Sequence, residues 1–322
     1  MKIDSKKIEE IIKKSSNVVI TAHKNLDLDA LGAILGFFYI ASKLDKESYL
    51  LIEDDIFEEG VKTALNNIEK LGFNIPINKL SKTKIGKNTL LVILDTNNED
   101  RIQNEKSINK INNKILIDHH VKGGVNENDY LYSYINSQES SSCEIIMDLL
   151  IDLNVYIPQY IASVMLSGIM VDTNRFYIKT TKNTFEVAAL LKKMGADYND
   201  IQYLFKQDFN EYIKRQEIIK SSVFVNKNVI IAIAEDNKIY DNDELAKAAD
   251  TMLTFNFVEA SFVIGKIDKN QIGISARSLG KIDVQSIMKK LNGGGHKTEA
   301  ATQIIDKNID EVKEMVIKLI LK

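Results

Sequence analysis

Short apolar runs of strand length alternate along this chain with longer stretches of helical periodicity. Ile8, Ile11 and Ile12 recur at helical spacing within 6–14, and Val18-Val19-Ile20 then reads as a buried strand. Leu31, Ile34, Leu35 and Phe38 return to helical spacing, with Asp29 where a helix cap would sit. Residues 49–52 predict a strand, 61–71 a helix, 89–94 a strongly apolar strand and 114–117 another. Ser141 and Glu144 have capping-box spacing at the head of a helix running through Leu153. Pro158 suits the first turn of the next helix, which reaches Val171-Asp172. Helical patterns follow over 184–194, 198–205 and 210–221, the last charged and polar on most of its face. Beyond Ser222 strands are predicted over 229–234, 260–265, 272–276 and 300–305, with helices over 243–253, 284–291 and 309–321.

Strands alternating with helices imply an α/β fold, whose ligands gather at the carboxyl ends of its strands. The expected architecture is a mostly parallel sheet with helices on both faces, joined by a helical linker to a smaller mixed α/β domain. The change of texture places the first domain at 1–207, the linker at 208–222 and the second domain at 223–322.

Composition narrows the function classes. With 322 residues, 44% of them apolar, the chain can bury the cores of two domains. A net charge of -3 supplies no basic field for long nucleic acid, so any nucleic-acid ligand is expected to be short. The single cysteine, Cys143, excludes an intrachain disulfide and a thiolate cluster, which leaves His and carboxylate as metal ligands. The longest apolar windows, 30–41 and 160–171, fall short of the roughly 20 residues of a membrane span. The N-terminus lacks the apolar core of a secretory signal, and a cytoplasmic location is expected.

The chemistry collects where predicted elements end. Only four histidines occur: His23, His119, His120 and His296. His23 follows the first strand, with Asp27 and Asp29 close behind; Asp95 follows 89–94; Asp118-His119-His120 follows 114–117; Asp172 closes an apolar helix. Taken singly, Asp27 and Asp29 would cap a helix, and Asp95-Thr96-Asn97 or Asp172-Thr173-Asn174 would be turns. Taken together they offer hard oxygen and imidazole ligands to a pair of divalent ions. Such ions, about 3.5 to 4 Å apart and bridged by one carboxylate, are a common means of attacking a phosphate ester. Asp95 is the candidate bridge. Without sulfur the set suits manganese, with magnesium or iron as alternatives, better than structural zinc. His119 and His120 are expected on opposite sides of an extended segment, so that only one of them faces the metals. In the second domain, Gly293-Gly294-Gly295-His296 reads either as a flexible turn or as a nest of amides for an anion. Arg277 has the planar donors for a phosphate or base edge, against a surface ion pair.

These residues resemble the DHH phosphoesterases across nearly the whole chain. Residues 19–32 look like the family's first motif, 91–95 the second, Asp118-His119-His120 the third and Val171-Asp172-Thr173 the fourth. Gly293-Gly294-Gly295-His296 resembles the signature of the associated C-terminal domain. Residues 248–251, 272–280 and 293–303 are most similar to cyclic-di-AMP phosphodiesterases of the GdpP type. Thr96-Asn97-Asn98 and Val121-Lys122-Gly123 depart from that type and look more like stand-alone, nanoRNase-like members that cut linear dinucleotides. The resemblance implies one manganese held by His23, Asp27 and Asp95, and a second held by Asp29, Asp95, His119 and Asp172. Asp118 and His120 would orient or face the phosphate, so that Asp95, Asp118, His119 and His120 carry the catalysis. Ser275, Arg277 and the loop from Gly293 to His296 would grip the far nucleotide of a cyclic or linear dinucleotide. No membrane segment is expected in the chain, and a homodimer stays open.

Overall fold

The computed structural model describes residues 2–53, 57–103 and 110–321, which divide into a first unit, Met1–Lys206, and a second, Gln207–Lys322. In the first unit six strands, β1 (Asn17–Thr21), β2 (Ser48–Leu51), β3 (Ile77–Asn78), β4 (Thr89–Leu94), β5 (Asn113–Asp118) and β6 (Tyr132–Ile135), form a sheet in the order β3-β2-β1-β4-β5-β6. Every neighbouring pair is parallel. Both faces are covered, which is why β4 reads as one continuous apolar run, with all six residues buried. Val18, Ile20, Leu90, Val92, Ile115 and Ile117 face one core, where helices Ser5–Lys14, Leu28–Lys43, Ser142–Asp152 and Gln159–Asp172 bury their apolar sides. Val19, Leu91, Ile93 and Leu116 face the other core, with Ile102, Ile111 and Val125.

The strand order reverses direction between β1 and β4. At that point the chain leaves the two strands toward opposite edges, and in such sheets ligands bind beyond the carboxyl ends of these strands. His23 lies just past β1 and Asp95 immediately past β4.

The second unit has its own six-stranded sheet: β7 (Val223–Phe224), β8 (Val229–Ile233), β9 (Ala260–Asp268), β10 (Gln271–Ser278), β11 (Gly294–Gly295) and β12 (Glu299–Ile305), in the order β11-β12-β10-β9-β8-β7. It is mixed, since β8 and β9 pair in parallel and the other pairs run antiparallel. Phe262 and Ile264 pack toward helices Val284–Lys289 and Ile309–Ile320, while Val263 packs toward Asn242–Met252 and Phe209–Lys220. The polar helix expected as a connection, Phe209–Lys220, thus buries Ile218 and Ile219 in the second unit's core.

Four short strands escaped the sequence pattern. Two-residue β3, β7 and β11 carry no periodicity, and β6 is a half-buried edge whose Tyr-Ser-Tyr-Ile lacks a clean alternation. Among the described residues, no helix is long and apolar enough to cross a membrane.

Candidate metal centre

The cluster is built from backbone upward. After β1 the His23 carbonyl accepts from Gln103 Nε2 at 3.0 Å, and the His23 ring donates from Nδ1 to the Lys24 carbonyl at 2.7 Å. A carbonyl can only accept, so Nδ1 keeps its proton and Nε2 is the nitrogen turned toward Asp27 Oδ2, at 3.5 Å, and Asp95 Oδ2, at 3.3 Å. Asn25, at φ 57°, turns the chain between His23 and Asp27. Asp27, rather than Asp29 as the spacing suggested, is the cap of Leu28–Lys43, its carboxylate accepting from the Ala30 amide at 2.9 Å.

Asp29 instead lies fully buried in that helix's first turn and reaches the head of another helix. Its oxygens accept from the Ser142 amide at 2.7 Å and the Cys143 amide at 2.9 Å, so the positive end of Ser142–Asp152 faces a carboxylate 113 residues earlier. Ser142 also donates from Oγ to Asp95 Oδ1 at 2.9 Å. No local pattern signals these contacts: Ser141 and Glu144 have the spacing of a capping box within the chain segment itself. The capping box is only half formed. Ser141 accepts from the Glu144 amide, while the Glu144 carboxylate turns to Ser140, Asn183 and Thr184.

Asp95 is buried at φ 60°, a left-handed conformation that a non-glycine residue adopts at a cost. Its two oxygens divide the site. Oδ2 faces His23, while Oδ1 lies 3.3 Å from His119 Nε2. That nitrogen is also 2.8 Å from Asp172 Oδ2 and 4.0 Å from Asp29 Oδ2. It is buried and, despite these distances, makes no aligned hydrogen bond. The groups His23, Asp27, Asp95 and Asp29, His119, Asp172 each hold ligand atoms within 4.8 Å of one another, as do Asp95, Asp118, His119 and His120. An imidazole nitrogen bare of hydrogen bonds among carboxylates is the donor set a divalent cation takes.

The electrostatics express the same demand. Burial opposes charge on His23, yet Asp27 and Asp95 hold its pKa at about 11. Burial likewise opposes charge on His119, and Asp172 and Asp95 raise its pKa well above the usual imidazole range. Burial raises Asp29 far above the carboxylate range, and repulsion from Asp172 and Asp95 adds to it. Asp172 is raised by burial in spite of His119. Burial would raise Asp95 too, but His119 and His23 draw it below the carboxylate range. Protons on the two imidazoles thus balance the crowded carboxylates, a task that bound cations would take over.

The two neighbouring histidines are not on opposite sides as expected. β5 ends at Asp118, and beyond it the alternation of an extended segment no longer holds, so the rings lie with centroids 4.3 Å apart. His119 is buried, whereas the His120 side chain is 48% exposed and donates from Nδ1 to Asp118 Oδ1 at 2.8 Å.

The second unit's candidates lie on their own sheet. Ser275 and Arg277 lie on β10, where Arg277 donates from Nε to Asp250 at 2.8 Å and from a terminal nitrogen to the Ala276 carbonyl at 3.2 Å. The glycine loop is not a nest of free amides. Gly293 donates to Met288 and His296 to Glu299, while Gly294 and Gly295 form β11 beside Ala301 and Ala300. Glycine is needed here for another reason: a Cβ at Gly293 would lie 2.5 Å from Thr302 Cβ, and Gly295 sits at φ 129°.

Comparison with known proteins places this geometry. The cyclic-di-AMP phosphodiesterase GdpP of Bacillus subtilis (strain 168) is 34% identical over 326 residues, spanning 97% of this chain and 49% of that protein. The chain thus spans about half the length of that curated relative. The bifunctional oligoribonuclease and PAP phosphatase NrnA of Mycoplasma genitalium is 27% identical over 330 residues, 96% of either chain. A crystal structure of an exopolyphosphatase-related protein from Bacteroides fragilis superposes with a TM-score of 0.82 at 18% identity, covering 98% of this chain and 95% of that one. At that identity the likeness is one of fold. Residues 17–169 match the DHH family, N-terminal domain, and residues 226–322 the DHHA1 domain. With both domains present, in that order, the chain belongs to the DHH family.

Proposed function

We propose that this chain is a divalent-metal phosphodiesterase that hydrolyses cyclic di-AMP to pApA, and pApA onward to AMP, with manganese as its metal. The observation that carries the reading is the division of Asp95, one oxygen toward His23 and the other toward His119, at the reversal point of the parallel sheet. His23, Asp27 and Asp95 would hold one cation, and Asp29, Asp95, His119 and Asp172 the other. When bound, the cations supply the positive charge that activates water and stabilises a phosphate as negative charge builds on it. Ser142, through its amide and hydroxyl, holds Asp29 and Asp95 in place. His120 has Nδ1 committed to Asp118, so Nε2 is the atom offered to exchange a proton with the phosphate's leaving oxygen. Arg277, Ser275 and the loop from Gly293 to His296 bind the nucleotide not being cut.

The substrate assignment draws on the 34% identity to GdpP along 97% of the chain. A second reading, a nanoRNase that also removes phosphate from 3′-phosphoadenosine 5′-phosphate, draws on the similarity to NrnA and on Thr96-Asn97-Asn98 after the second motif. Purified protein with manganese, given cyclic di-AMP, pApA and the adenosine bisphosphate in parallel, separates them. Cleavage of the cyclic substrate is expected; turnover of only the linear ones selects the second reading.

A further inference from the structure

One amide side chain ties the loop after Asp118-His119-His120 back to the end of β4. Asn97, buried two residues beyond Asp95, donates from Nδ2 to Asp118 Oδ2 and, at 3.2 Å, to the Val121 carbonyl. Its Oδ1 accepts from the Gly123 amide. The loop can come this close because position 123 is glycine; a Cβ there would strike Asn97.

The Asp118 oxygens are thereby shared out. Oδ2 receives Asn97, while Oδ1 receives the His120 ring at 2.8 Å and the His120 amide at 3.2 Å. Asp118 is fully buried, so rotating its carboxylate away from these partners would leave its donors short of an acceptor. His120 itself is half exposed; its ring lies 4.3 Å from that of His119 between centroids, and Asp95 Oδ1 is 3.7 Å from its Nδ1, farther than Asp118.

From this arrangement we infer that Asn97 is a positioning residue for His120. It fixes the Asp118 carboxylate, which fixes the imidazole with its proton on Nδ1 and Nε2 turned to the substrate. The bland alternative is that Asn97 only tethers the 121–123 loop. The kinetic test rests on the phosphodiesterase reading above, whereas the spectroscopic test does not.

The experiment is a double-mutant cycle in the full chain with manganese and pApA, whose alkoxide leaving group needs a proton, comparing Asn97→Ala, His120→Ala and both. Asn97→Ala is expected to lower kcat by about 10-fold or more with KM nearly unchanged. In the His120→Ala chain the same change should cost less than about twofold. Equal losses in both backgrounds overturn the inference, because the amide would then serve the loop or the fold. Where Asn97→Ala does not fold, Asn97→Ser takes its place. Independently of turnover, ring ¹⁵N NMR of the magnesium-loaded chain should show His120 as the Nδ1–H tautomer, and a mixture of tautomers once Asn97 is replaced. An unchanged tautomer in the variant overturns the positioning role. If the parent cleaves no phosphodiester, the proposed function falls, and the NMR comparison still decides Asn97.

Discussion

His119 in the first unit and Arg277 in the second are both nitrogen bases set among carboxylates, and they are satisfied to different degrees. His119 Nε2 is buried within 4.0 Å of three acids and aligned with none. Arg277 is already paired, with Nε on Asp250 and a terminal nitrogen on Ala276. The same contrast runs through their neighbours. Asp95 is held in a left-handed backbone conformation among competing charges, whereas the amides of Gly293 and His296 are consumed by carbonyls of their own unit. Unmet demand of the first kind is what a cation relieves. Groups of the second kind bind a ligand only by sharing or exchanging partners, so they suit recognition rather than bond breaking.

The largest effect should come from the shared acid. Asp95→Asn is expected to weaken divalent-metal binding at both groups and to lower phosphodiester turnover by roughly 10³-fold or more, since the bridging charge is lost. Calorimetric titration with manganese alongside kcat checks it, and parental stoichiometry with parental turnover would break the comparison. Next, Arg277→Ala should raise KM for a dinucleotide by about 10-fold or more while leaving bis-p-nitrophenyl phosphate hydrolysis within about twofold. Equal losses on both substrates would place Arg277 with the reacting centre or with folding.

A matched pair of glycines sharpens the contrast at smaller scale. A Cβ on Gly168 would lie 2.7 Å from Asp29 Cα and 2.8 Å from the Leu28 carbonyl. Gly168→Ala and Gly293→Ala should each destabilise by about 1 to 3 kcal/mol through overpacking. Only the first should also weaken manganese binding, because only it displaces a candidate ligand. Thermal melts with and without metal, paired with titration calorimetry, read both.

The smallest effect is a proton count. His23 has its folded pKa raised to about 11, above the ordinary 6.5, so in metal-free protein its stabilising protonation is fully present below 6.5 and lost as pH rises through 11. Within that window a cation must displace the proton. Metal loading at pH 8 should therefore release about one proton per His23, plus a further share from His119, and apparent affinity should rise with pH. Calorimetry in buffers of different ionisation enthalpy measures the release; none would mean that metal does not displace the His23 proton.

Much of this was legible in order along the chain. An acid or imidazole directly after a continuous apolar run marks the carboxyl end of a doubly covered strand, and β1, β4 and β5 carry that mark with His23, Asp95 and Asp118. What failed were inferences that treated neighbours in sequence as neighbours in role. Asp29 stands at cap spacing in the sequence, yet its carboxylate binds the head of a helix 113 residues away. Glu144 was placed in a box with Ser141 and proved to bind Ser140 and Thr184. His119 and His120 were separated by an alternation that stops where β5 stops.

By itself, then, the sequence determined the longer helices and strands and which candidate ligand types stand at their ends, because periodicity and residue chemistry are local properties. It also determined the passage from a parallel sheet to a second, mixed one. Only the tertiary structure decided that β1 and β4 lie side by side, so that Asp95 faces His23 with one oxygen and His119 with the other. It likewise decided that Asn97 reaches Asp118, that Ser142 reaches both central acids and that Arg277 is held by Asp250. Such contacts join residues up to 113 positions apart. They depend on strand order and on the close approach that Gly123 and Gly168 permit, and no local pattern encodes either.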